Sequence, residues 1–187
     1  MKLTVLVDNN NLIDRYFKGE PGLSYFLEAD GKKILFDLCY SDLFIENAGK
    51  MDINLLDSDY LVLSHSHLDH TWGLPHLIQL YTEAEIEAKE YKKAELVTHP
   101  ETFVPRKIAE IDQIGTLLSK ERAAYHFDLN LSRDYIYLTD NLIFLGEIER
   151  KNDFESQNLI GKVLKNGDEE DDYIIEDSAL AYKTAKG

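Results

Sequence analysis

Three histidines and an aspartate with close, regular spacing are the residues most able to perform chemistry in this 187-residue chain. Four of its six histidines lie within twelve residues, and His65, His67 and His70 form, with Asp69, the pattern His-x-His-x-Asp-His. Imidazole and carboxylate groups suit zinc, iron and manganese. The pattern therefore predicts a metal site; these ligands do not distinguish the three metals sharply, and zinc is the first expectation.

The residues before this pattern explain how it can bind metal. The apolar run 60–63 predicts a buried strand that leads directly into His65. At the end of a strand, residues i and i+2 project to the same side, so His65 and His67 can reach one cation together. The chain then turns, which lets Asp69 and His70 point to a neighbouring position. Two divalent metals about 3.5–4 Å apart would share a water and lower its pKa.

The segment HSHLDHTWGL resembles the HxHxDH signature of the metallo-β-lactamase superfamily. Other segments are similar to one branch, the metal-dependent hydrolases related to the dihydropterin-type synthase of methanopterin biosynthesis: 22–28, 33–37, 98–103 and 145–150. The resemblance implies an α/β (α+β) fold, an αββα sandwich with the metals at one edge. It also implies that His65 and His67 bind the first metal and that Asp69 and His70 bind the second.

The chain departs from the family pattern at three places. Leu38 and Cys39 follow Asp37, where the family has Thr-Gly, and Trp72 stands where a small glycine is usual. The family completes its site with ligands from a second half, whose first strand would begin about where Gly187 ends this chain. We therefore expect only the N-terminal half to two-thirds of the sandwich, either as a fragment or as a naturally short product, with an incomplete site.

Several other residues are candidates for supporting roles. Asp37 can orient a ligand histidine from behind, or only cap the next helix. His99 follows a predicted strand and can approach the metals, although a structural or substrate-contact role is favoured. Arg106 and Arg150 suit an anionic substrate, although an ordinary salt bridge is the alternative for both.

Local patterns predict the elements around these residues. Asp30-Gly31 between two apolar runs predicts a β-hairpin, and 135–138 with 142–145 predicts a second one. Ser41 begins a short predicted helix, 74–93 has a helical pattern, and strands are expected at 95–98 and 179–184. The acidic stretch 165–177 predicts an exposed flexible loop within a single partial domain, 1–187.

Composition limits the classes of partner. With 20 Lys and Arg against 35 Asp and Glu, the net charge of −15 argues against binding nucleic acid or an anionic membrane. A single cysteine excludes an intramolecular disulfide. No apolar run is long enough for a signal peptide or a membrane span, so we expect a cytoplasmic protein that acts on a small molecule.

Two functional hypotheses follow. The first is a metal-dependent hydrolase in which a metal-bound hydroxide attacks an ester, lactone or phosphoester, and Asp69 holds the metal and orients the water. The second is a partial domain, inactive or weakly metal-binding, that forms a homo-oligomer or pairs with another chain to cover its sheet edges. A third possibility is that three histidines and one aspartate hold a single metal.

Overall fold

The computed structural model describes residues 1–154, 159–165 and 167–184. Their strands are β1 (Lys2–Val7), β2 (Ser24–Ala29), β3 (Lys32–Phe36), β4 (Tyr60–Val62), β5 (Glu95–Thr98), β6 (Arg106–Lys107), β7 (Asp128–Leu131), β8 (Ile136–Tyr137), β9 (Leu142–Phe144), β10 (Gly161–Lys165), β11 (Asp168–Asp172) and β12 (Leu180–Tyr182). Their α-helices are α1 (Leu43–Lys50), α2 (Leu68–Thr71), α3 (Leu74–Ile86) and α4 (Lys120–His126), and short 3₁₀ turns cover Leu55–Asp57 and Pro100–Phe103.

A six-stranded sheet in the order β1-β2-β3-β4-β5-β7 positions the histidine-rich segment. β1, β2 and β3 are antiparallel, whereas β3, β4, β5 and β7 run parallel. The carboxyl ends of parallel strands meet at one edge of a sheet. Asp37, Ser64 and His99 follow β3, β4 and β5 closely, so they arrive at the same edge.

Both faces of this sheet are covered by apolar side chains. One face packs against residues of α1 and α3, including Phe44, Leu74 and Leu77. On the other face Ile34 and Val97 belong to a buried cluster with residues of a three-stranded sheet, β12-β9-β8, among them Leu138, Leu142 and Phe144. The fold therefore has one layer of helices and two layers of sheet, in agreement with the α/β fold class that the sequence predicts.

The predictions that depended on local turn chemistry are confirmed. β2 and β3 form the hairpin around Asp30-Gly31, whose φ angles of 50° and 78° suit a tight hairpin turn. β8 and β9 form the second hairpin, and β12 lies within the last predicted strand. The helix predicted over 74–93 ends earlier, at Ile86.

The prediction of a loop over 165–177 is wrong for Lys165 and for Asp168–Asp172, which lie in strands. Asp168–Asp172 form β11, paired with β10, which in turn pairs with β6. Lys162 and Lys107 form ion pairs with Asp171 and Glu169, so basic neighbours compensate the acidic residues that would otherwise repel one another. The first four residues of β11 are exposed as predicted, and Asn166 lies outside the described residues.

None of the described helices has the length and apolar character needed to span a membrane.

Candidate metal centre

Asp37 contacts the residues of the candidate metal site from the protein interior. It is fully buried and has a left-handed backbone, with φ 54°, a conformation that aspartate and asparagine tolerate better than most residues. Its Oδ1 accepts a hydrogen bond of 2.7 Å from the Ser64 amide, and its Oδ2 accepts one of 2.7 Å from the Ser64 hydroxyl. His70 Nδ1 also lies 2.7 Å from Oδ2. Asp37 therefore contacts a predicted ligand from behind, as the orienting role requires.

These contacts determine which ring nitrogens are free to bind metal. Since the Ser64 hydroxyl donates its proton to Asp37, it accepts one from His65 Nδ1, 2.9 Å away. His70 donates from Nδ1 to Asp37 in the same way. In both histidines Nε2 is then the nitrogen with a lone pair, the tautomer that a metal ligand needs.

His65, Asp69 and His70 form a compact group, called here the ligand triad. Each offers a ligand atom, and these atoms lie within 4.8 Å of one another. His70 Nε2 is 3.6 Å from Asp69 Oδ2, and the rings of His65 and His70 have centroids 4.1 Å apart. The resemblance to the family instead divides these residues between two metals, pairing His65 with His67.

His67 lies beside the ligand triad rather than in it. Its ring centroid is 4.8 Å from that of His65, and the residue occupies the N-cap position of α2. Its Nε2 is buried and has no hydrogen-bond partner among the described residues. A buried imidazole nitrogen without a partner, next to two histidines and a carboxylate, fits a divalent metal.

Burial keeps two of these histidines in the neutral form that binds metal. It lowers the pKa of His65 from 6.5 to about 2, with smaller contributions from neighbouring His70 and His67. Burial also lowers the pKa of His67. For His70 burial acts in the same direction, but the hydrogen bond and charge of Asp37 outweigh it and raise the pKa.

Asp177 is a site residue that the sequence did not reveal. Its Oδ1 lies 3.7 Å from His65 Nδ1, and burial raises the pKa of this carboxyl. The adjacent Ser178 amide donates a hydrogen bond of 2.9 Å to the Ser64 carbonyl, which holds this segment against the histidine-rich loop. Long-range contacts such as this one bring Asp177 to the site, and no local motif signals it.

The structure places Arg106 in a buried ion-pair network. Its guanidinium pairs with Asp172 at 2.9 Å and with Glu176 at 2.7 Å, and it donates to the carbonyls of Glu101 and Val104, each at 3.0 Å. These contacts engage the guanidinium within the protein, in a buried network rather than in an ordinary surface salt bridge.

Arg150 and His99 also have partners within the protein. Arg150 donates to the carbonyls of Tyr173, at 2.6 Å, and of Ile174. His99 is fully buried; its Nδ1 accepts from the Glu101 amide at 3.1 Å and its Nε2 donates to Glu147 at 3.0 Å. Both ring nitrogens of His99 are therefore engaged in hydrogen bonds within the protein.

An open cavity of ≈ 500 Å³ adjoins the site, and both Asp69 and His67 contribute to its wall. The rest of its described lining is mainly apolar: Glu20, Pro21, Tyr40, Leu68, Ile108, Ile111, Ile114 and Ile160. A mostly apolar cavity beside a few polar groups is typical of a small-molecule site.

The fold and this group of histidine and aspartate side chains agree with the family comparison. Residues 18–164 match the model of the metallo-beta-lactamase superfamily. The chain belongs to the metallo-beta-lactamase superfamily.

Two individual proteins are similar to this chain over nearly its whole length. It is 31% identical to the 7,8-dihydropterin-6-methyl-4-(beta-D-ribofuranosyl)-aminobenzene-5'-phosphate synthase of Methanocaldococcus jannaschii, an alignment that covers 100% of this chain and 65% of the relative. It is 24% identical to an uncharacterized protein of the same organism, over 97% of this chain and 66% of that protein. The chain thus spans about two thirds of the length of these relatives.

A solved structure shows the same fold. The crystal structure of Tm1679, described as a metal-dependent hydrolase of the beta-lactamase superfamily, superposes with a TM-score of 0.74 at 22% identity. The match covers 99% of this chain and 62% of Tm1679.

Proposed function

We propose that this chain carries the metal-binding part of a metal-dependent hydrolase that acts on an ester, lactone or phosphoester. The observation that supports this most directly is the ligand triad, in which contacts from Ser64 and Asp37 leave Nε2 free on both histidines. Superfamily membership supports metal dependence. The Methanocaldococcus jannaschii relative is named a synthase, so hydrolysis is the specific point to be tested.

The residues have separate tasks in this proposal. His65, Asp69, His70 and adjacent His67 hold one or two divalent ions, with zinc preferred for its affinity for imidazole and carboxylate. A bound ion would lower the pKa of a water and polarise the substrate oxygen. Asp69, which is on the cavity wall, orients the water towards the substrate.

Metal content tests the site assignment. We expect protein purified without chelator to contain zinc, iron or manganese, and the variant His65→Ala/His67→Ala to lose it. His126→Ala is the matched control, because His126 is exposed at the end of α4. Unchanged metal content in the double variant would show that the site assignment is wrong.

Turnover tests the reaction class. The metal-loaded chain should hydrolyse an activated ester or lactone, lose this activity on chelation and regain it with zinc. Asp69→Asn should lower the rate by a factor of about 10²–10⁴, the usual contribution of a positioned acid–base group. Hydrolysis that survives complete metal removal would contradict the proposal.

A further inference from the structure

Residues 176–178, which lie between β11 and β12, run along the histidine-rich loop in the opposite chain direction. Each of them contacts one residue of 64–66. The contacts join the Ser178 amide to the Ser64 carbonyl at 2.9 Å, the Asp177 carboxylate to the His65 ring at 3.7 Å and the Glu176 carboxylate to the Ser66 hydroxyl at 3.0 Å. A segment that is distant in the sequence therefore lies against the loop that carries the candidate ligands.

The contact between Glu176 and Ser66 is the most deeply buried of the three. Both residues are fully buried, and Glu176 Oε1 accepts the hydrogen bond from the Ser66 hydroxyl. Ser66 lies between His65 and His67, whose ring centroids are 4.8 Å apart. Its carbonyl is held as well, because it accepts a hydrogen bond of 2.9 Å from the Thr71 hydroxyl. With both its side chain and its carbonyl held, Ser66 fixes the backbone that separates the two histidines.

Arg106 fixes Glu176 in turn. Its guanidinium lies 2.7 Å from Glu176 Oε2 and 2.9 Å from Asp172 Oδ2, and all three side chains are almost completely buried. The two oxygens of Glu176 thus have different partners: one faces the guanidinium and the other accepts from Ser66. Because Arg106 begins β6 and Asp172 ends β11, this carboxylate connects two strands to the histidine-rich loop.

We propose that Glu176 is a positioning residue for the metal site, which acts through the Ser66 hydroxyl to hold His65 and His67 in the relative orientation that metal binding requires. Groups that contact metal ligands from outside commonly determine ligand orientation and metal affinity. Asp37 contacts His70 directly, whereas Glu176 contacts the residue between the other two histidines. The inference rests on the metal-binding part of the proposed function and adds a residue that no local motif identifies.

Ser66→Ala tests the link from the side of the loop, because it removes the hydroxyl and leaves the ion pairs of Arg106 in place. We expect the zinc affinity, measured by competition with a chromogenic chelator, to fall about tenfold, at the lower end of the usual effect of losing an outer partner of a ligand. Unchanged zinc affinity in this variant would overturn the inference.

Ser58→Ala is the matched control. Ser58 is likewise buried, and its hydroxyl also donates one hydrogen bond, of 2.9 Å to the Leu55 carbonyl, but it precedes β4 whereas Ser66 follows that strand. We expect the control to keep the zinc affinity of the parent. An equal fall in both variants would show that loss of a buried hydrogen bond weakens binding wherever it occurs, and would overturn the inference.

The visible spectrum of the cobalt(II)-loaded protein gives a readout that a change in stability alone does not move, because the absorption depends on the arrangement of the ligands around the ion. At saturating cobalt, Ser66→Ala should have a different absorption maximum or intensity from the parent, and Ser58→Ala should have the same spectrum as the parent. Identical spectra for the parent and Ser66→Ala would contradict a role in orienting the ligands.

Glu176→Met tests the link from the other side. Methionine has a similar length and no carboxylate to accept from Ser66, and Arg106 keeps Asp172 as a partner. We expect this variant to lose zinc affinity about tenfold as well. If Glu176 acts through Ser66, the double variant should bind zinc no more weakly than the weaker single variant. An additive loss of about a hundredfold, or no loss in Glu176→Met, would overturn the inference.

A measurement on the metal-free protein separates this inference from the proposed function. In histidine side-chain ¹H–¹⁵N spectra we expect the ring signals of His65 and His67 to shift or broaden in Ser66→Ala and Glu176→Met, and to stay unchanged in Ser58→Ala. If the parent takes up no metal but these signals change as expected, the metal-dependent hydrolase is contradicted and the positioning of the two rings is supported. If all variants bind zinc as the parent does, the metal site is supported and the inference is overturned.

Discussion

At the scale of single residues, Asp37 controls the orientation of His70 within the ligand triad. Its carboxylate accepts from His70 Nδ1 and from both donors of Ser64, and the side chain has no exposure to solvent. The sequence predicted this role as one of two options, because Asp37 ends a predicted strand near the expected position of the site. Asp177 could not be predicted, because its position depends on how Ser178 packs on Ser64.

Asp37→Asn should lower metal affinity by about 10–100-fold, the usual effect of losing an outer partner of a ligand histidine. Asparagine keeps the left-handed backbone and can still accept from the Ser64 amide. Its amide nitrogen, however, donates towards His70 Nδ1, which moves the imidazole proton to Nε2 and blocks that ligand. Competition with a chromogenic zinc chelator measures the affinity.

The matched control is Asp30→Asn in the β2–β3 turn. Asp30 has the same left-handed conformation, with φ 50°, but bonds to Thr139, Asn141 and Tyr182 instead of to a histidine. Equal loss of zinc affinity in both variants would show that Asp37 acts through general stability rather than through His70.

His65 should make the metal-free protein sensitive to acid. Burial lowers its folded-state pKa from 6.5 to about 2, so below about pH 6.5 the unfolded chain takes up a proton that the folded protein does not. Above the unfolded-state pKa this difference in proton uptake is absent and stability is complete. As the pH falls below that pKa, the free energy of unfolding decreases by up to about 1.4 kcal/mol per pH unit. His70 acts oppositely, because its raised pKa adds stability below the unfolded value and loses it as pH rises through the folded value.

Removing the His65 imidazole should therefore flatten the acid dependence. We expect His65→Asn to show a smaller decline in the free energy of unfolding between about pH 6 and pH 4 than the parent protein, measured by urea titration with a chelator present. His126→Asn, at an exposed position, is the control. Identical pH slopes for the parent and His65→Asn would contradict the assigned pKa.

At the scale of elements, Arg106 connects β6, β11 and the histidine-rich loop. Asp172 ends β11, and Glu176, which also pairs with Arg106, accepts a hydrogen bond of 3.0 Å from Ser66, located between His65 and His67. Composition predicted the acidic stretch to be a loop because its charges repel when considered alone. The buried Arg106 and the cross-strand lysines compensate these charges, so much of the stretch forms a strand instead. Neither the arginine nor the lysines can be recognised as partners from the residues next to the stretch.

Arg106→Leu should lower the free energy of unfolding by about 3–5 kcal/mol, because it leaves two buried carboxylates without their partner. Arg133→Leu is the matched control. Arg133 also pairs with two carboxylates, Glu101 and Glu147, but its side chain is 50% exposed, so about 0–1 kcal/mol is expected per pair. Urea unfolding measures both, and a loss in Arg106→Leu no larger than that in Arg133→Leu would contradict the expected effect of burying the Arg106 network.

At the scale of the whole molecule, the site joins segments that are far apart in the sequence. Asp37 follows β3, the ligand triad follows β4, and Asp177 comes from the segment before β12. Local patterns predicted the β2–β3 hairpin and the ligand motif, since each lies within a few residues. The homo-oligomer stays a prediction; β1, an edge strand with Leu3 and Val5 exposed, is the surface it would use.

Because these segments meet only in the folded state, metal binding should stabilise the entire fold. Free zinc at about a hundred times its Kd would contribute about 2.7 kcal/mol, which for a chain of this size raises the Tm by roughly 5–10 °C. Calorimetry with zinc and then with excess chelator measures this shift.

With a net charge of −15, any divalent cation also reduces repulsion among the carboxylates, so magnesium at the same concentration provides the baseline. The variant His65→Ala/His67→Ala should keep the magnesium effect and lose the additional zinc effect. If it retains the full zinc shift, the cation stabilises the protein through its surface charge and not through the ligand triad.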